Sequence, residues 1–298
     1  MTVCTTPVFE PVSLERQDDY LERFAKCPQK ASDYSFINIW GWAEKYGLQW
    51  YFGDSHVWLR QTLPEVVYWA PVGPWGEVEW AKCATVGCCK FFTRVPEQLA
   101  HLWRDTLGDR VELKDARGHW DYLYSVEELA TLSGNKFHKK KNLLNQFKKN
   151  QSFDYHTMTP DCVEAALHMQ LDWYRWRDEE SQEMLAAENN AIKRVLQSWD
   201  SLRGVFGGVI EVHGKRAAYT VAEHLCDRTV VIHFEKGHTQ YKGIYQAINQ
   251  MFLESEAGGY EFVNREQDLD EPGLRKAKES YNPVDYLRKY EVVVHPAS

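Results

Sequence analysis

Three strands in immediate succession, "VFGGVIEV", "RAAYTVAEH" and "TVVIHFE", followed by a helix and a further strand, restrict this chain more than any other feature of its sequence. The first two strands meet at the turn His213-Gly214. The helix that follows the third spans Tyr241 to Glu256, because Tyr241, Ile244, Tyr245, Ile248, Met251 and Phe252 recur at helical spacing. Gly258-Gly259 reads as its left-handed cap. Two helices, Pro160 to Arg177 and Gln182 to Trp199, precede the strands; "YEFVN", a helix over Gly273 to Ser280 and "KYEVVV" complete the order. The first half repeats it: helices over Leu14 to Cys27 and Tyr34 to Tyr46, a hairpin through Gly53-Asp54, a strand in "EVVYWA", a helix in "PEQLAHLWRDTLG" and a strand in "RVELK". The expectation is an α/β (α+β) fold in two similar domains, residues 1–135 and 153–298, each a mixed central sheet flanked by helices. A basic helix over residues 136–152 connects them.

That connecting stretch, "SGNKFHKKKNLLNQFKKN", holds six of the chain's 35 basic residues and no carboxylate, in a protein with 43 acidic residues and a net charge of -8. Such density repels itself unless something negative lies alongside. At about 100° per residue, Phe137, Leu143, Leu144 and Phe147 share one face, yet Lys140 projects from its middle and Lys136 from its edge. The plain reading is a lysine snorkelling past a small apolar face. The sharper reading has Lys139, Lys140 and Lys141 lining a groove for phosphate, with salt-dependent binding. The acidic balance elsewhere excludes general coating of nucleic acid.

With 44% hydrophobic and 14% aromatic residues in 298, the chain has material for a large core. Its amino terminus has neither a basic nor an apolar targeting region, and no apolar run approaches the roughly 20 residues of a membrane span. The expected location is cytoplasmic. Seven cysteines, with Cys83, Cys88 and Cys89 in no zinc spacing, read as free thiols, and no metal is expected.

The twofold element order is that of the GNAT acyltransferase fold. "YLYSVEELATLSGNKFHKKKNLLNQFKKN" and "NREQDLDEPGLRKAKESYNP" resemble the carboxy-terminal domain family of phosphatidylglycerol lysyltransferase, whose members carry tandem GNAT-like domains, and more distantly the Fem-type peptidyltransferases. The resemblance covers about Asp33 to Val294. It implies transfer of an acyl or aminoacyl group from a phosphate-bearing donor, aminoacyl-tRNA or acyl-CoA, to an amine or hydroxyl acceptor. In the parent family it implies lysyl transfer from tRNA to phosphatidylglycerol; here a small molecule, a peptide or a lipid headgroup stands equally as acceptor. In Fem-type enzymes a comparable basic helix runs between the two halves.

Such chemistry needs a donor site, a base and an acid. "FEKGHTQYKGIYQAI" passes from strand through a glycine loop to a helix N-terminus, where free N–H groups favour an anion. Phe234, Lys236, the loop pair Gly237-His238, Gln240, Tyr241, Lys242, Gly243 and Ile244 are the candidate donor residues. Gln240 and Gly243 match the GNAT pattern Gln/Arg-x-x-Gly-x-Gly/Ala, but Tyr245 stands where the last small residue belongs, which disfavours ordinary acyl-CoA. Tyr281, four residues after Ala277, resembles the GNAT general acid; a tyrosine closing the core is the plainer account. Glu223 and Glu235 are candidate bases, or solvent-facing strand residues. Glu223 and His224 point to opposite faces, so one of them at most faces a given site.

Asn264, Arg265, Glu266, Gln267 and Asp268 gather at a strand end, where ligand residues collect in open α/β sheets. Arg265 suits a phosphate or carboxylate, and Asp268 a substrate amine. Two rival readings remain: a non-catalytic GNAT-fold protein that binds tRNA, a nucleotide or an anionic lipid headgroup through the lysine helix, and a scaffold presenting Trp40, Trp42, Trp50, Trp75 and Trp80. Large aromatics at such spacings more often form core.

Overall fold

The structure, a computed structural model, describes residues 7–175 and 182–296. In chain order its elements begin with β1 (Glu10–Pro11), α1 (Gln17–Ala25), α2 (Phe36–Tyr46), β2 (Gln49–Phe52), β3 (Val57–Gln61), β4 (Val67–Trp69), α3 (Ala84–Cys88), β5 (Phe91–Pro96), α4 (Glu97–Leu107) and β6 (Val111–Asp115). The middle of the chain forms β7 (Asp121–Ser125), α5 (Val126–Thr131), α6 (His138–Asn150), β8 (Phe153–Thr157), α7 (Pro160–Arg175) and α8 (Gln182–Gln197). The remainder forms β9 (Val205–Val212), β10 (Lys215–Cys226), β11 (Thr229–Gly237), α9 (Ile244–Glu256), β12 (Phe262–Asn264), α10 (Pro272–Glu279), β13 (Asp285–Leu287) and β14 (Lys289–Val294). The last two residues of the helix expected over Pro160 to Arg177 lie outside the described residues.

Two mixed sheets result, in the orders β1-β2-β3-β4-β5-β14-β6 and β13-β7-β12-β11-β10-β9-β8. The same scheme runs through both. Antiparallel strands lead to a single parallel pair, β4 with β5 in one and β11 with β12 in the other, and an antiparallel strand follows. That next strand comes from the far side of the sequence in each case. β14 lies between β5 and β6, and β7 lies between β12 and β13. "KYEVVV" was expected to finish the second half; it sits in the first sheet instead. The pattern of a strand reveals which face is apolar but not which sheet receives it.

Accordingly neither compact unit is one block of sequence. Unit 1 comprises Met1–Asp121, Gln267–Glu271 and Leu287–Ser298; unit 2 comprises Tyr122–Glu266 and Pro272–Tyr286. The basic helix α6 packs within unit 2.

Local chemistry explains the boundaries. Ser35 caps α2 by accepting the Asn38 N–H at 3.2 Å, and Gly47, at φ +54°, ends it in a left-handed turn. Ser125 caps α5 in the same way through Glu128 N–H. At the end of α9, Ala257 N–H bonds to Leu253 O, and neither Gly258 nor Gly259 adopts the left-handed cap expected of them.

In unit 2 the core lies between the sheet and α5, α6 and α9. Phe147 and Leu144 of α6 meet Ile244, Ile248 and Phe252 of α9, above Ala218, Ala222, Val230 and Ile232 of the sheet. Burying each large side chain here contributes about 1.5–3 kcal/mol. In unit 1, Trp50, Trp75, Trp80 and Trp103 are buried core, while Trp40 and Trp42 are half-buried.

Candidate functional site

The parallel pair of the second sheet is short. Its ladder ends at Val231↔Asn264, whereas β11 runs on to Gly237, so the sheet splays over its final residues. Polar side chains collect on the α9 face of this splay.

Arg265, the first residue after β12, donates to Glu235 Oε1 at 3.1 Å, and Asn249 of α9 donates to Glu235 Oε2 at 2.9 Å. Tyr281, 7% exposed, accepts the Gln246 Nε2–H at 3.0 Å, and the Arg265 guanidinium lies 4.8 Å from its ring centroid. Lys140 reaches in from α6: its Nζ lies 3.9 Å from the same centroid and donates to Ser280 Oγ at 2.7 Å. The lysine misplaced on an apolar helix face is thus the one that touches the tyrosine. Burial pushes the Tyr281 phenol up, with Arg265 opposing, while burial and then Arg265 lower Lys140.

Glu223 lies apart from this cluster. A bulge in the β10/β11 ladder between Val221 and Ala222 turns His233 toward it. His233 Nε2 lies 3.0 Å from Glu223, and its Nδ1 lies 2.8 Å from Glu266. Both carboxylates can only accept, so the ring is doubly protonated. Burial opposes that charge, but the hydrogen bonds to Glu223 and Glu266 outweigh it and raise the pKa to about 9. Glu266 holds φ +57°, an uncommon conformation for this residue type.

The remaining expected residues divide three ways. Phe234 and Ile244 are buried core, and Tyr241 packs against it half-buried. Lys236 is buried and pairs with Glu188 at 2.7 Å; His238 is half-buried, its N–H on Ala217 O. Gln240 and Lys242 are exposed, as are Lys139 and Lys141. Gly243, at φ +89°, starts α9, and a Cβ on it would overlap the Leu143 carbonyl of α6. Asn264 is buried and accepts the Glu266 N–H at 2.8 Å. Asp268 belongs to unit 1, where Arg117 pairs with it at 3.0 Å and the Asp270 N–H bonds to it. Its carboxylate is therefore already engaged with a cation of the protein itself.

In the first sheet the corresponding opening is filled. Tyr34 donates to Arg94 O and accepts the Ala70 N–H, both at 2.9 Å, bridging β5 and the end of β4. Behind it stands a buried charge cluster. Lys289 bonds to Asp33 and, at 2.6 Å, to Asp121; Arg94 donates to Asp33 at 2.6 Å; Ser32 and Gln267 donate to Asp121 at 2.8 Å. The Lys289 and Arg94 charges outweigh burial and hold Asp33 down at about 2.

Sequence reading missed His233, Gln246 and Asn249, together with this cluster. Gln246 and Asn249 did carry a signal, as polar residues flanking the apolar stripe of α9. Among the described residues, no group of three or more His, Cys, Asp or Glu side chains is placed to hold a metal ion, and no helix is long and apolar enough to cross a membrane. Cys27, Cys83, Cys89, Cys162 and Cys226 are free thiols.

Two mixed sheets with this strand order make an α/β fold similar to that of FemX. That likeness spans 95% of this chain and 96% of FemX, with a TM-score of 0.54 at 7% identity. The chain belongs to the family described as phosphatidylglycerol lysyltransferase, C-terminal, whose model matches residues 24–293. Among solved structures, a conserved protein of unknown function from Bacteroides thetaiotaomicron is 28% identical, with a TM-score of 0.86 over 97% of this chain and all of the other. L-PGS from Bacillus licheniformis shares the fold at a TM-score of 0.65 and 15% identity, over 97% of this chain and 94% of its own. No protein of curated function matches.

Proposed function

We propose that unit 2 transfers an acyl or aminoacyl group from a phosphate-bearing donor, aminoacyl-tRNA or acyl-CoA, to the amine or hydroxyl of a small-molecule, peptide or lipid-headgroup acceptor in the cytoplasm. The observation that carries this reading is the meeting of Tyr281, Arg265, Glu235 and Lys140, from four separate segments, at the splay of the second sheet. Family membership supports the same class of chemistry.

The acceptor nitrogen attacks the donor carbonyl carbon, and the bond to the leaving oxygen or sulfur breaks. Tyr281 gives its phenolic proton to that leaving atom, and Gln246 fixes the phenol for the transfer. Glu235, held by Arg265 and Asn249, takes the proton that the attacking nitrogen loses as the C–N bond forms. Glu223 acts from the other side of the sheet by holding His233.

Two features favour the RNA donor over acyl-CoA. Tyr245 occupies the place of a small residue in the donor loop, and the Leu143 carbonyl abuts Gly243 where a pyrophosphate would approach. The second reading is a non-catalytic protein that binds tRNA, a nucleotide or an anionic lipid headgroup through α6, and the exposure of Lys139 and Lys141 favours it. Incubating the protein with labelled aminoacyl-tRNA or labelled acetyl-CoA, plus mixed amine acceptors, separates them. Label moving from tRNA to an acceptor is the expected result. Binding without any transfer would establish the second reading.

A further inference from the structure

Departures from regular structure converge on His233. In the β10/β11 ladder Val221 faces Phe234 and Ala222 faces Ile232, so His233 is the extra residue of the bulge. Its fully buried side chain lies between two carboxylates, Glu223 at 3.0 Å and Glu266 at 2.8 Å. Glu266 in turn holds φ +57°, a left-handed conformation that a glutamate keeps only where its surroundings impose it. A buried ionic arrangement of this kind adds little net stability over well-packed apolar side chains. Bulges that re-aim a side chain, and strained backbone conformations, gather instead at functional sites.

Glu266 is where the chain turns after β12. Arg265 N–H bonds to Tyr122 O at 3.0 Å, Tyr122 N–H to Glu266 O at 3.2 Å, and Glu266 N–H to Asn264 Oδ1 at 2.8 Å. Those bonds fasten the turn to β7 and β12. The Glu266 side chain fastens it to His233 of β11 and, through that ring, to Glu223 of β10. Consecutive side chains part here: Arg265 goes to Glu235 and Tyr281, and Glu266 to His233. The peptide joining the two is held at its carbonyl by Lys278 of α10 and at its N–H by Asn264. Releasing Glu266 to an extended conformation rotates this peptide, and with it the Cα from which the Arg265 guanidinium reaches Glu235.

We propose that His233 is a positioning residue: by holding Glu266 in the left-handed turn, it aims Arg265 at Glu235 and Tyr281. That the aimed guanidinium serves a reaction rests on the transferase reading; the aiming itself does not.

The test is NMR of the intact protein carrying isotope-labelled arginine, reading solvent exchange of the Arg265 Nε–H, which is assigned by its disappearance in Arg265→Lys. The ion pair with Glu235 and the Tyr281 ring should keep this proton slow to exchange in the wild type. His233→Gln keeps a donor for Glu223 in the place of Nε2 and removes the donor for Glu266. It should speed exchange at Arg265 about tenfold or more, the order by which an unheld left-handed residue shifts its population. Backbone amides of β8 to β10 should keep their wild-type rates. Adding Glu266→Gly should restore slow exchange, because glycine adopts a positive φ without being held there. Unchanged exchange at Arg265 in His233→Gln overturns the proposal. So does equal acceleration throughout unit 2, which marks a loss of stability only, and so does a folded double variant in which glycine fails to restore Arg265. The expected pattern in a protein that forms no transfer product upholds the positioning and ends the transferase reading.

Discussion

Replacing Lys289 by methionine removes one cation from a buried group of four charges and leaves Arg94, which is bonded to Asp33, as the other cation of that group. Lys289 and Asp121 are fully buried, so water cannot take the lysine's place. Breaking a buried pair from one side costs about 3–5 kcal/mol. Protonation limits the loss. Neutralising one of the two carboxylates at pH 7, about three units above an ordinary aspartate pKa, costs roughly 4 kcal/mol, and at pH 5 only about 1.5 kcal/mol. The deficit of Lys289→Met should therefore be about 3–4 kcal/mol at pH 7 and shrink to about 1–2 at pH 5.

The wild type runs the other way with pH. Asp33 has a folded pKa of about 2, below its unfolded value, so its contribution is complete above about pH 4 and is lost as pH falls toward 2. Urea titrations at both pH values measure the two deficits. Asp121→Asn added to Lys289→Met should recover most of the loss, because one carboxylate then faces one guanidinium. A deficit under about 1 kcal/mol at pH 7, or one that does not change with pH, would refute the reasoning.

Gly243→Ala should destabilise unit 2 by about 2 kcal/mol or more and increase amide exchange in α6, since the new Cβ meets the Leu143 carbonyl at a positive φ; exchange unchanged from wild type would show that α6 does not lean on this glycine. His233 has a folded pKa of about 9, above its unfolded value, so its contribution is complete below about pH 6.5 and lost as pH rises through 9. Glu223→Gln should remove much of that decline, which melting temperatures between pH 6 and 9.5 would record.

How much of this was legible in the sequence differs by scale. β9 to β11 and α9 announced themselves through periodicity, "KKK" within an apolar helix face set Lys140 apart, and Tyr281 stood out only by its resemblance to the GNAT general acid; that the two touch was not legible. Turn and periodicity signals are local, so they located elements but not partners. Asp33, Arg94, Asp121 and Lys289 are single charges on separate elements, up to 256 positions apart in the chain. Each alone resembles a solvent-facing residue. The destination of β14 was hidden for the same reason: its alternation suits a half-buried strand in either sheet, and only its ladder partners β5 and β6 place it inside the first. His233 escaped notice because "TVVIHFE" reads as a continuous buried strand, and the bulge that turns it toward Glu223 has no residue signature.

Proton delivery by Tyr281 to the leaving group is open to a single-turnover experiment with labelled aminoacyl-tRNA and excess protein, comparing wild type with Tyr281→Phe. Transfer to the acceptor should slow by about 10²–10⁴-fold while RNA binding and the melting temperature stay near wild type. Transfer by Tyr281→Phe at the wild-type rate would mean that another group protonates the leaving atom.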